Sequence, residues 1–158
     1  MDDLTRWVHL LALAAYLGST LGLVLMVLPA VDRIADPALQ RRVLAKALRP
    51  YNVLSVGALG VLLMTGASSL TDLKASMHAE FGRLLWPLAW KLTLSFLLIN
   101  VATYLSFGLA HRLVRAEVGQ LPVEPEQQAG ILRRMRGTAW VAVALAGYTT
   151  WVGLRLLR

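Results

Sequence analysis

Four long apolar runs separated by short polar connections set the pattern of this chain: Trp7 to Val31, Tyr51 to Leu70, Leu84 to Ala110 and Thr138 to Leu157. As helices rising about 1.5 Å per residue, each can cross roughly 30 Å of hydrocarbon. Inside a bilayer every backbone N–H and C=O must be satisfied within its own segment, so each run is predicted to be a spanning helix. The expected fold class is all-α, an integral membrane four-helix bundle, with residues 1–158 as a single transmembrane domain. The opening Met1-Asp2-Asp3-Leu4-Thr5-Arg6 is not a basic leader, and the run after it is about twice the length of a typical signal-peptide core. The first run is therefore read as a retained span.

The connections carry the punctuation. Asp36-Pro37 is a helix-start signal, and Ala38 to Leu48 behind it predicts a short surface helix between the first two spans. Leu121-Pro122-Val123-Glu124-Pro125-Glu126 predicts a break and then a short helix approaching the fourth span. Arg33, Arg41, Arg42, Lys46 and Arg49 fill the first connection, and Arg112, Arg115, Arg133, Arg134 and Arg136 the third. The second holds only Lys74 and Arg83. The positive-inside rule then places the first and third connections in the cytoplasm and both termini outside, which sets Trp7, Trp86, Trp90 and Trp151 at the outer interface as an aromatic belt.

Composition sharpens this picture in two places. A net charge of +7 would suggest nucleic acid in a soluble protein, but basic residues confined to the connections of a chain that is 57% hydrophobic set topology instead. No nucleic-acid partner is expected. With no cysteine there is no disulfide framework, thiolate metal site or cysteine nucleophile. There is also no His-Glu-x-x-His, no glycine-rich phosphate loop and no carboxylate within a span, so ion-coupled transport through an acidic relay has no support.

Candidate chemistry sits in the first and third spans. His9, Tyr16 and Thr20 are spaced by seven and four residues and so share a helix face, opposite Gly18 and Gly22. The glycine side is expected to admit a neighbouring helix, and the His9 side to meet a polar interior or a cofactor. An imidazole within a span needs a partner, so His9 is either an interfacial residue or a metal or haem ligand. Lys91 lies about 10 Å inside the third span, where an ammonium costs roughly 3 kcal/mol unless it snorkels, pairs or acts. Thr93, Asn100, Tyr104 and His111 share another face of that span, with Asn100 expected to make an interhelical hydrogen bond. His111 is roughly 30 Å from His9, so the two cannot ligate one haem. An outer set of His9, His78, Met64 and Met77 combines imidazole with thioether, which suits Cu(I) or haem iron. Small residues Ala142, Ala146, Thr149 and Gly153 in the fourth span, with Gly18 and Gly22 in the first, are expected to bind partner helices in a homo-oligomer or larger membrane complex.

Several of these features occur together in one known group. Trp7-Val8-His9 opening the first helix, Arg49-Pro50-Tyr51 running to Leu63-Met64-Thr65-Gly66 in the second, and Gly82-Arg83-Leu84 leading to Trp90-Lys91-Leu92 in the third resemble the superfamily of copper-resistance CopD membrane domains and HemJ-type protoporphyrinogen oxidases. The resemblance covers about the first 115 residues. It implies the inner membrane of a prokaryote, and haem b bound through His9 or copper handled at the outer face. By position the family's other site residues would be Arg49, Trp86 or Trp90, and Lys91, with Tyr16 lining the cofactor and Lys91 meeting a propionate or substrate carboxylate. Three functions follow: a haem-b redox protein or porphyrin oxidase, a copper-transport or copper-resistance protein using His9, His78, Met64 and Met77, and a cofactor-free structural subunit.

Overall fold

Asp36 starts a helix as its sequence predicts: its Oδ1 accepts a hydrogen bond from the Ala38 amide at 3.0 Å, and Pro37 occupies the first helical position. In the computed structural model, which describes residues 3–76 and 81–155 and the side chains of all these except 72–76 and 81–84, the regular elements are helices throughout. They are α1 (Asp3–Gly22), a π-helical stretch (Leu23–Val27), α2 (Leu28–Asp32), α3 (Pro37–Ser76), α4 (Phe81–Thr103), a second π-helical stretch (Tyr104–Ala110), α5 (His111–Glu117) and α6 (Pro125–Arg155). The residues flanking both π stretches keep right-handed helical backbone, so the elements join into four long rods: α1–α2, α3, α4–α5 and α6. Asp3–Asp32, Pro37–Thr71 and Leu85–Glu117 are long and apolar enough to cross a membrane. Among the described residues α6 is not, because glycine, threonine and aromatic residues dilute its aliphatic content and Leu156 and Leu157 lie outside the described part.

Two expectations are corrected. No separate surface helix lies between the first two spans, because α3 runs unbroken from Pro37 through Pro50. Proline removes one backbone hydrogen bond and crowds the preceding turn, at roughly 3 kcal/mol. Here the exposed ring of Pro50 points away from the face that buries Leu44, Leu48 and Tyr51 against the other rods, and that burial holds the helix through it. Nor is there a separate short helix before the fourth span, since α6 is continuous from Pro125. The preceding break is real: Gly119, at φ +74°, closes α5 with amide bonds from Gly119 to Ala116 and from Gln120 to Arg115.

The first π stretch has a local cause. Pro29 cannot donate to the Leu25 carbonyl and its ring crowds that group, so the turn ahead of it widens and Leu28 N–H bonds to Leu23 O.

All four rods contribute to both layers of the core. One layer gathers Leu28, Val31, Leu44, Leu48, Leu105, Leu113 and Met135. The other holds Tyr16, Ala58, Leu98, Ala102, Ala142 and Ala146, nearer His9. The opposite, basic end is cross-linked by polar groups. Buried Gln128 donates to Pro37 O and to Gln40 Oε1 at 2.7 Å, and Gln40 in turn donates to Val31 O. Arg41 and Arg42 share Glu117, and Arg136 pairs with Asp32. Both side chains of the Arg136–Asp32 pair are more than 40% exposed, so it contributes less than about 1 kcal/mol. Arg136→Gln is expected to shift the unfolding free energy by less than that amount in a detergent denaturation titration.

Candidate functional site

The end opposite the basic residues brings a polar group from each of three rods together against the fourth. On α1, His9 turns its Nδ1 to the Thr65 hydroxyl of α3 at 2.6 Å. Thr65 in turn donates to its own helix, with Val61 O at 2.7 Å and Leu62 O at 3.2 Å. A threonine hydroxyl has one proton, and it is committed to that carbonyl. The hydroxyl oxygen therefore accepts from Nδ1–H, an assignment made from the hydrogen-bond pattern, and Nε2 keeps its lone pair. Half-buried Lys91 of α4 crosses to α6, where a Cβ built on Gly153 would stand 3.5 Å from its Cε and Nζ. Its ammonium is also close enough to the His9 imidazole for the two to interact electrostatically. The result is an imidazole held at Nδ1 by a hydroxyl, with the lysine of a third rod within electrostatic range.

Sequence spacing finds His9 and Lys91 but not Thr65, and it finds Gly153 only as part of a small face, because their placement here depends on the register between rods. Its other candidates fall in different places. Tyr16 is fully buried in the core layer below His9, about 10 Å along the helix axis. Trp90 and Trp86 are exposed on the outside of α4, at 47% and 81%, on the side turned away from Lys91. Met64, 75% exposed, also points outward and does not join Thr65 at His9. His78 and Met77 lie outside the described residues. Among the described residues no group of three or more histidine, aspartate or glutamate side chains could hold a metal ion. His111 stands exposed at the basic end, at the start of α5.

Deeper in the core is a second polar group. The phenol of Tyr16 lies near Thr20 and Tyr51, and Tyr51 near Ser55. Thr20 donates to Tyr16 O at 2.8 Å, whereas the buried hydroxyls of Tyr16, Tyr51 and Ser55 close no hydrogen bond of standard geometry among the described residues. The polar side of α1 thus faces the interior as its spacing predicts. Its glycine side behaves differently: among the described residues a Cβ on Gly18 or Gly22 would meet nothing within 4 Å, so no described side chain or rod comes into contact there. The small residues Ala142 and Ala146 are fully buried inside the chain's own core. Asn100 bonds within its own helix, its Nδ2 donating to Phe96 O at 2.8 Å, and among the described residues it makes no hydrogen bond across rods.

Comparison with protein-family models, with curated proteins and with solved structures yields no match to this chain.

Proposed function

We propose that this chain is a haem-b-binding, redox-type protein of the inner membrane of a prokaryote, a four-helix bundle with both termini outside, in which His9 is an axial ligand. The observation that carries the reading is the imidazole of His9, held at Nδ1 by the Thr65 hydroxyl 2.6 Å away, which leaves Nε2 as the ring atom for a metal. A histidine that ligates a metal typically donates its other ring N–H to an outer acceptor, which fixes the tautomer and raises the basicity of the ligating nitrogen. Lys91 bears on which metal group fits. An ammonium beside His9 opposes a bare copper cation, whereas a porphyrin brings its own carboxylates for the ammonium to meet as a point charge. His9 and Lys91 would hold the group, and haem would supply reversible one-electron chemistry at its iron. The chain's own contribution is orientation of the ligand by Thr65 and charge balance by Lys91. The concentration of arginine and lysine at the opposite end supports a cytoplasmic placement of that end.

The test is a pair of oxidised and dithionite-reduced visible spectra of protein expressed with a haem supply. A b-type Soret band with a sharpened α-band on reduction is expected, and a preparation that stays colourless after reconstitution with haem would sink the reading. Thr65→Val removes the acceptor behind His9 and is expected to weaken haem retention by about 10–100-fold in a titration against apomyoglobin. Thr65→Ser keeps the hydroxyl and should retain haem as the wild type does.

A further inference from the structure

A groove of about 550 Å³ opens sideways between α4–α5 and α6, well away from His9. Asn100, Val101 and Tyr104 line one wall, Arg134, Thr138 and Val141 the other, and Gly137 contributes no side chain to its floor. Apart from Asn100, whose Nδ2 donates to Phe96 O, its polar groups are not spent elsewhere. Among the described residues Arg134 has no carboxylate partner, unlike Arg136 two positions on, which pairs with Asp32. The hydroxyls of Tyr104 and Thr138 likewise close no hydrogen bond among the described residues, and the ring of Tyr104 is 47% exposed. The tyrosine side chain lies over Gly108, where a Cβ would come within 2.8 Å of its Cδ2, so the glycine leaves the room the ring occupies.

We propose that this groove is a binding site for one anionic glycerophospholipid, resting on the reading of these rods as membrane spans. Arg134 is at the basic end, and Thr138 is one turn deeper on the same helix, about 6 Å along its axis. A guanidinium holds a phosphate by charge-assisted, often bidentate hydrogen bonds. Below it the Thr138 and Tyr104 hydroxyls can donate to glycerol ester carbonyls, and Val101 and Val141 offer apolar walls to an acyl chain. The charge pattern selects this occupant. A second copy of the chain docked here about a two-fold axis would bring two unpaired Arg134 cations together, and an uncharged isoprenoid has no anion to offer them.

The experiment counts lipids retained by the full chain in native mass spectrometry, after exchange into detergent micelles doped equally with phosphatidylglycerol and phosphatidylcholine. The wild type is expected to keep one phosphatidylglycerol, preferred about tenfold over phosphatidylcholine. Arg134→Gln should lose that preference, and so should Val141→Trp, which fills the groove without altering charge. Arg133→Gln, an exposed neighbour that does not line the groove, should behave as wild type. Equal retention of both lipids by the wild type overturns the proposal. So does a loss in Arg133→Gln as large as in Arg134→Gln, which would mean a diffuse basic surface, and so does a dimer cross-linked through Tyr104→Cys or Thr138→Cys.

Discussion

His9→Ala is expected to give a colourless protein under conditions in which the wild type shows a b-type spectrum. His111 cannot take over as ligand, because it stands on the same rod as Lys91 but twenty residues further on, about 30 Å along the axis. Met64 points outward from the rod that carries Thr65. The fold itself should survive, since His9 is only half-buried and its loss removes one side-chain hydrogen bond, worth about 1 kcal/mol net. Far-ultraviolet circular dichroism of the variant should therefore match the wild type. Free imidazole added at millimolar concentration should restore part of the Soret band if the alanine variant lacks only a ligand. A full spectrum in His9→Ala would remove His9 from the site. His78→Ala, measured beside it, would then be the informative variant.

How far the sequence reaches can be judged from particular residues. The spacing of His9, Tyr16 and Thr20 is a property of one helix, and it places Tyr16 and Thr20 in the interior as observed. Asp36-Pro37 and Gly119 mark ends through local backbone chemistry, and for that reason Asp36-Pro37 is readable from the chain alone. Thr65 is different. Its spacing singles out no role for it, and only the register of α1 against α3 sets its hydroxyl 2.6 Å from His9. Gly153 is readable as part of a small face, but that Lys91 reaches across to it depends on the same kind of register. Pro50 shows the opposite failure, where a breaker that weighs locally is overridden by the buried face of α3. The second π stretch has no proline to announce it, whereas Pro29 does announce the first. Lys91 lies between these cases: its depth makes it conspicuous, but only packing shows that it turns inward to Gly153.

Packing also separates the two small-residue faces that look alike in the sequence, and the difference is measurable. Ala142→Leu is expected to destabilise the chain strongly. Ala142 is fully buried where α6 meets Tyr16, Leu98 and Ala102, so three additional carbon atoms must push rods apart or force side chains off their rotamers. Such overpacking costs about 1–3 kcal/mol. Rods in lipid are held by van der Waals contact and not by release of water, so separation of the rods is not offset by any gain in apolar burial. Gly18→Leu should leave unfolding unchanged, because the space beside Gly18 is empty within the chain. Unfolding of each variant by titration with sodium dodecyl sulfate, followed by circular dichroism, would measure both. The same pair of variants bears on assembly. If copies or partner subunits meet through the Gly18–Gly22 face, Gly18→Leu should reduce the oligomer in cross-linking or light scattering while the monomer stays folded. Ala142→Leu should lose the monomer fold first. A wild-type fold in Ala142→Leu would mean that α6 packs differently from the arrangement described, and with it the placement of Gly153 beside Lys91.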